Sequence, residues 1–139
     1  MSPETRTSVV TVFLTRQKEL LLLKRSPKVS TFQGCWAGVS GYLEVEDAAE
    51  QAWQELQEEL GVGKGDAVLN VQGAPLDVED AKNDRTWVVH PFRFALLAQV
   101  QPRLDWEHVE SRWCPPETIL KLNTVPGLYE AWCHVKAGF

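Results

Sequence analysis

The sequence predicts a single α/β domain, on three observations. β-Branched and apolar runs are separated by polar turns, one strongly amphipathic stretch of helical period lies between them, and no repeat, low-complexity tract or linker divides the chain. A length of 139 residues with 44% apolar composition can build one core without disulfides, so residues 1–139 read as one unit.

The elements follow in order. Thr7–Leu14 and Glu19–Lys24 are apolar or β-branched runs flanking the polar Thr15-Arg16-Gln17-Lys18, which predicts a hairpin. Residues 26–38 contain Pro27, Gly34 and Gly38 and read as a loop, followed by a short strand over Val39–Val45. Ala48–Leu60 has helical spacing, with Asp47 three residues before Glu50 as a capping box and Gly61 just past the end as a C-cap. Val68–Val71 reads as a strand. The run Thr86–Val100 contains another, in which Pro91 implies an edge position or a bulge. Pro115–Leu120 suggests a short helix, and Val125–Val135 a closing amphipathic one with Pro126 in its first turn.

Composition excludes some functions. A formal net charge of −5 argues against broad nucleic-acid binding, which normally requires a basic face. The longest strongly apolar stretch, Leu20–Leu23, is far too short to cross a bilayer, and the N-terminus lacks the basic-then-apolar order of a signal peptide. The odd set Cys35, Cys114 and Cys133 contains no CxxC pair, so reduced thiols in a cytoplasmic protein are expected rather than disulfides or a zinc cluster.

The helix carries the chemistry. At about 100° per residue, with Glu55 at zero, Glu59 falls near +40° and Glu58 near −60°, so three carboxylates share one face. Ala49, Ala52, Trp53, Leu56 and Leu60 form an adjacent apolar stripe. Like charges at these spacings each cost an isolated helix roughly 0.2–0.5 kcal/mol, a sign that a hard cation reverses. Carboxylate oxygens suit Mg²⁺, Mn²⁺ or Ca²⁺, and zinc is disfavoured because the helix offers no Cys or His companion.

Residues 40–62 (SGYLEVEDAAEQAWQELQEELGV) resemble the Nudix box, G-x5-E-x7-R-E-U-x-E-E-x-G-U with U aliphatic. Glu46 stands at its first glutamate, Glu55, Leu56, Glu58 and Glu59 at its helical positions, and Gly61 and Val62 at its close. The resemblance implies an α/β/α sandwich with a mixed β-sheet and a hydrolase that cleaves a nucleoside diphosphate linked to another group, NDP-X, with Mg²⁺ or Mn²⁺. It implies metal ligation by Glu58 and Glu59, with Glu55 as a further ligand or an orienter of the attacking water, and by a backbone carbonyl near Ser40 or Gly41. Candidate phosphate contacts are Lys24 and Arg25 at the end of the second strand, with Lys28 beyond. Trp36, Trp87 and Trp106 are candidates to stack a nucleobase. The general base is sought among Glu107, His108 and Glu110, with Glu110 the first choice. The partner implied is a small nucleotide, neither a nucleic acid nor a membrane, and a homodimer is open by family habit.

Two positions depart from the box. Gln54 stands where the family has an arginine that pairs with box glutamates, and an amide does not replace a bidentate, charge-assisted contact in kind. Ser40 stands at the opening glycine, with Gly41 next. These departures motivate the alternative of a catalytically weak nucleotide-binding or regulatory module of the same fold. Dinucleoside polyphosphates, nucleotide sugars, oxidised nucleoside triphosphates and ADP-ribose all remain compatible with the residues outside the box.

Overall fold

The computed structural model describes residues 5–97 and 99–139. Its organising strand is β1 (Thr5–Arg16), which runs parallel to β7 (Arg85–Leu96) in unbroken register from Thr5↔Arg85 to Thr15↔Ala95. A parallel pair needs a crossover, and this one contains helix α1 (Ala48–Leu60). Every other pairing of named strands is antiparallel, which makes the eight-stranded sheet a mixed one.

The predicted hairpin forms only at its tip. β2 (Glu19–Arg25) pairs with β1 at Thr15↔Leu20 and Arg16↔Glu19 around a tight turn in which Gln17 has φ 55. The strands then part: β1 takes β4 (Val39–Tyr42), whereas β2 takes β3 (Trp36–Ala37) on one side and β8 (His108–Cys114) on the other. The cleft described below opens where they separate.

Pro91 occupies neither an edge nor a bulge. β7 is central, with β1 along one side, and along the other β6 (Leu76–Asp80) opposite Arg85–Val89 and β5 (Ala67–Gln72) opposite Phe92–Leu96. Pro91 sits at the change of partner, where its carbonyl accepts from Gly73 N–H (2.9 Å) and its missing N–H deprives no ladder of a bond.

Side chains of β1, β2 and β7 alternate between two cores. Val10, Val12, Leu14, Leu21, Leu23, Phe92 and Phe94 pack with Ala52, Leu56 and Leu60 of α1. On the opposite face Phe13, Leu20, Leu22, Trp87 and Val89 pack with Ile119 and with Leu128, Ala131 and Trp132 of α2 (Leu128–Cys133). Trp132 meets Phe13 edge-on at 5.3 Å between ring centroids. The result is the expected α/β/α sandwich. Phe92 is fully buried between the sheet and α1. Phe92→Ala is therefore expected to lower unfolding free energy by about 3–5 kcal/mol in denaturant titration, and a loss under ~1 kcal/mol would show that this layer is not the core.

The closing helix is shorter than the predicted Val125–Val135. Pro126 disfavours helical backbone at the residue before it, and Val125 instead donates from its N–H to the Trp36 carbonyl (3.0 Å). Gly127, at φ 78, turns the chain into α2. The predicted turn of helix near Pro115 is a 3₁₀ segment, Pro116–Lys121.

Candidate active site

α1 begins and ends as its sequence predicts. The Asp47 carboxylate accepts from Ala49 N–H (2.9 Å), and Gly61 closes the helix at φ 69. The reciprocal half of the capping box is absent, because Glu50 instead pairs with Lys64 on the surface (3.1 Å). Against the first turns of α1, β4 delivers Gly41 so closely that a Cβ there would fall on the carboxyl group of Glu55. Ser40, Gly41, Glu55 and Glu58 thereby share one end of a cleft of about 480 Å³.

The glutamates divide as the helical wheel requires. Glu58 is exposed and Glu55 half-buried, whereas Glu59, nearest the apolar stripe, is only 2% exposed. Its Oε1 lies 3.5 Å from Nε2 of the buried His108, and its Oε2 has no hydrogen-bond partner among the described residues. Asp105 Oδ1 lies 3.4 Å from the other ring nitrogen of His108. The imidazole therefore lies between two carboxylates, and Glu107 beside it lines the cleft next to Glu55 and Glu58.

Positive charge is short here. Burial pushes the Glu59 carboxyl well above its usual range, reinforced by the neighbouring carboxyl groups of Glu55, Glu107 and Asp105. Burial also raises Glu55, with Glu58 and Glu44 adding to it against the hydrogen bonds from its neighbours. Glu107 is raised by burial and by Asp105, Glu55 and Glu58, with Arg25 opposing. His108 is lowered, chiefly by burial, which favours its neutral form.

A hard divalent cation fits these residues on two counts. The buried, unpartnered Glu59 Oε2 is an uncompensated acceptor, and the donor set converging on it is predominantly oxygen. Glu59, Glu107 and His108 each offer a ligand atom within 4.8 Å of the others. The sequence-based exclusion of a histidine companion is thus corrected, since β8 brings His108 from outside the helix.

The remaining candidates separate. Arg25 lines the cleft and is steadied by Thr31, its Nε donating to the Thr31 carbonyl (3.0 Å). Lys28 also lines it. Lys24 does not: it lies opposite Trp36 and Glu110 within the sheet. Trp36 is buried in the α2-side core and is not part of the cleft lining. Glu110 is exposed on β8 and is not part of the lining. Trp87 and Trp106 do line the cleft, joined by Phe32 and Tyr42, which the sequence reading passed over. Gln51 was passed over too, although its place four residues before Glu55 puts both on one helical face.

Compared with known proteins, the chain matches the NUDIX domain over residues 5–133. It belongs to the NUDIX domain family. Among solved structures, it superposes on an Ap4A hydrolase of C. elegans in a binary complex with TM-score 0.76 and 20% identity, over 92% of this chain and 93% of the other. A MutT protein of Methanosarcina mazei Go1 gives TM-score 0.76 and 23% identity over 93% and 91%. The E. coli ORF135 protein gives 0.68 and 26% over 93% and 89%. No curated protein matches the chain. The Nudix chain is accordingly built on the fold that its box implied. No helix among the described residues is long and apolar enough to cross a membrane.

Proposed function

We propose that this Nudix chain, acting as one catalytic domain, hydrolyses a phosphoanhydride bond in a nucleoside diphosphate-linked substrate, NDP-X, with Mg²⁺ or Mn²⁺ held by Glu55, Glu58 and Glu59 and by a backbone carbonyl at Ser40 or Gly41. The observation that carries this reading is the convergence of Glu55, Glu58 and Glu107 on one cleft above the unpartnered Glu59, with Arg25 and Lys28 along the same lining. When bound, the cation neutralises phosphate charge and lowers the pKa of the attacking water.

The chain's own residues do the rest. Arg25, its guanidinium already oriented by Thr31, and the exposed Lys28 take the charge of the diphosphate. Glu107 removes the proton of the attacking water, a role that its place in the cleft favours over Glu110. Burial and neighbouring carboxylates raise its pKa from the usual range towards the working pH, where a base is most effective. Phe32, Tyr42 and Trp87 form an aromatic group, with Trp87 within 6.4 Å of Tyr42 and 6.3 Å of Phe32 between centroids, and Val125 and Pro126 extend its apolar surface. This group takes the nucleobase, with the exposed Trp106 at the rim. The free thiols Cys35, Cys114 and Cys133 agree with a cytoplasmic setting.

The test is a panel of dinucleoside polyphosphates, nucleotide sugars, nucleoside triphosphates and ADP-ribose, each with Mg²⁺, with Mn²⁺ and with EDTA, products separated by chromatography. Metal-dependent release of a nucleotide from at least one class is the expected result. Saturable binding with no turnover on any of them would overturn it in favour of the regulatory module suggested by Gln54.

Base selectivity is expected to be weak. The described lining contains no carboxamide or imidazole to read a base edge, and stacking is indifferent to the pattern of donors and acceptors. Values of kcat/KM for adenine, guanine, cytosine and uracil forms of one substrate are expected to fall within about 100-fold of each other. A spread beyond about 10⁴-fold would require a hydrogen-bonding pocket.

A further inference from the structure

Gln51 is buried in α1, with 1% of its surface exposed, and both ends of its amide are engaged. Its Oε1 accepts from the backbone N–H of Glu44 (2.9 Å), and its Nε2 donates to Oε1 of Glu55 (3.0 Å). The first bond fixes the orientation of the second, because an amide oxygen committed to an N–H leaves only the nitrogen to face the carboxylate. One side chain thus ties the loop between β4 and α1 to the carboxylate lying against Gly41. By contrast Gln54, which occupies the arginine position of the box, reaches only the exposed Glu58, at 3.3 Å.

We infer that Gln51 is the positioning residue for Glu55, and that it takes over from within the helix the holding role that Gln54 no longer performs. The inference rests on the proposed metal site. A neutral amide differs from a guanidinium in one respect that matters here: it aims the carboxylate without cancelling its charge. Glu55 therefore keeps its full attraction for a cation while losing its freedom to rotate. The contact with Glu44 adds a second effect, since the loop leading from Gly41 into the helix is held at a fixed distance from that carboxylate.

Gln51→Met keeps the length and burial of the side chain but neither donates nor accepts through an amide. It is compared with the parent by titrating Mn²⁺ alone and following free Mn²⁺ by electron paramagnetic resonance, and by separating kcat from KM on the substrate found in the panel. The expected result is Mn²⁺ binding weakened about 10-fold and kcat lowered by a similar factor, with KM for the nucleotide within twofold, as for loss of a group that orients a ligand. Parent-like Mn²⁺ affinity in a folded Gln51→Met overturns the inference.

A second measurement needs no change at Gln51. In the parent protein the side-chain amide protons of Gln51 are expected to exchange with solvent far more slowly than those of Gln54, and their resonance to shift on adding Mg²⁺. Exchange as fast as that of Gln54 overturns the inference whether or not Gln51→Met folds. Mn²⁺ affinity unaffected by Glu55→Gln, Glu58→Gln and Glu59→Gln would instead remove the metal site itself, which separates that failure from a failure confined to Gln51.

Discussion

Glu59→Gln is expected to abolish turnover and, at the same time, to make the metal-free protein more stable. Groups that merely orient a metal ligand are worth 10–100-fold in affinity or activity, so removal of a principal ligand should cost on the order of 10³-fold in kcat. The stability effect has the opposite sign. The folded-state pKa of Glu59 is raised, first by burial and then by its acidic neighbours. The folded state therefore binds the proton more tightly than the unfolded chain does. That contribution to stability is fully present below the unfolded carboxyl pKa and is lost as pH rises through the folded value. With EDTA at pH 8, above the unfolded carboxyl pKa, the parent thus bears the cost of burying this carboxyl, as a charge or through uptake of a proton, and the amide does not. For a domain of this size each kcal/mol relieved raises Tm by roughly 3–5 °C. Mg²⁺ should raise the Tm of the parent at pH 8 and leave Glu59→Gln nearly unmoved. A variant that melts lower than the parent in EDTA and still gains stability from Mg²⁺ would place the cation elsewhere.

The second large effect distinguishes two glutamates three residues apart. Glu107→Gln is expected to lower kcat by about 10²–10⁴-fold, the usual worth of a general base, with the acid limb of the pH–rate profile removed and Mn²⁺ affinity changed far less than by Glu59→Gln. Glu110→Gln should stay within twofold of the parent, because that side chain is exposed on β8 and is not part of the cleft lining. The opposite pattern would return the base to Glu110. Equal, small losses in both would leave Glu55 as the candidate, since it touches the same space.

The two variants also show what could and could not be read from the sequence. Asp47, Gly61 and the three box glutamates were legible because a helix is a local object: caps and a 3.6-residue period assign its ends and faces without reference to the rest of the chain. Glu107 was not resolvable from Glu110 on that basis. The ladder between β2 and β8 slips at Lys24/Arg25, so that Lys24 faces Glu110 whereas Arg25 faces His108. One extra residue exchanges the faces of everything beyond it, and no pattern in Asp105–Trp113 marks where the slip occurs. Trp36 misled for a related reason. It lies in a stretch with the glycines of a loop, yet a two-residue strand and the Thr124 bridge pin it into the core. Pro91 gave a correct warning with the wrong remedy: the missing N–H is accommodated by the interval between two partner strands, which is a property of topology rather than of β7 itself.

The parallel ladder between β1 and β7 joins residues eighty positions apart along the chain, at every rung. Chain closure of that length must occur before any rung contributes, which places this protein among slow-folding topologies despite its modest size. During synthesis the acidic helix leaves the ribosome well before β7 and β8 exist, with its carboxylates crowded and nothing beside them. Glu59 acquires its buried setting only when the last third of the chain arrives with His108. The assembled site is therefore a property of the finished topology, and a nascent chain interrupted before Arg85 carries the whole signature motif without it.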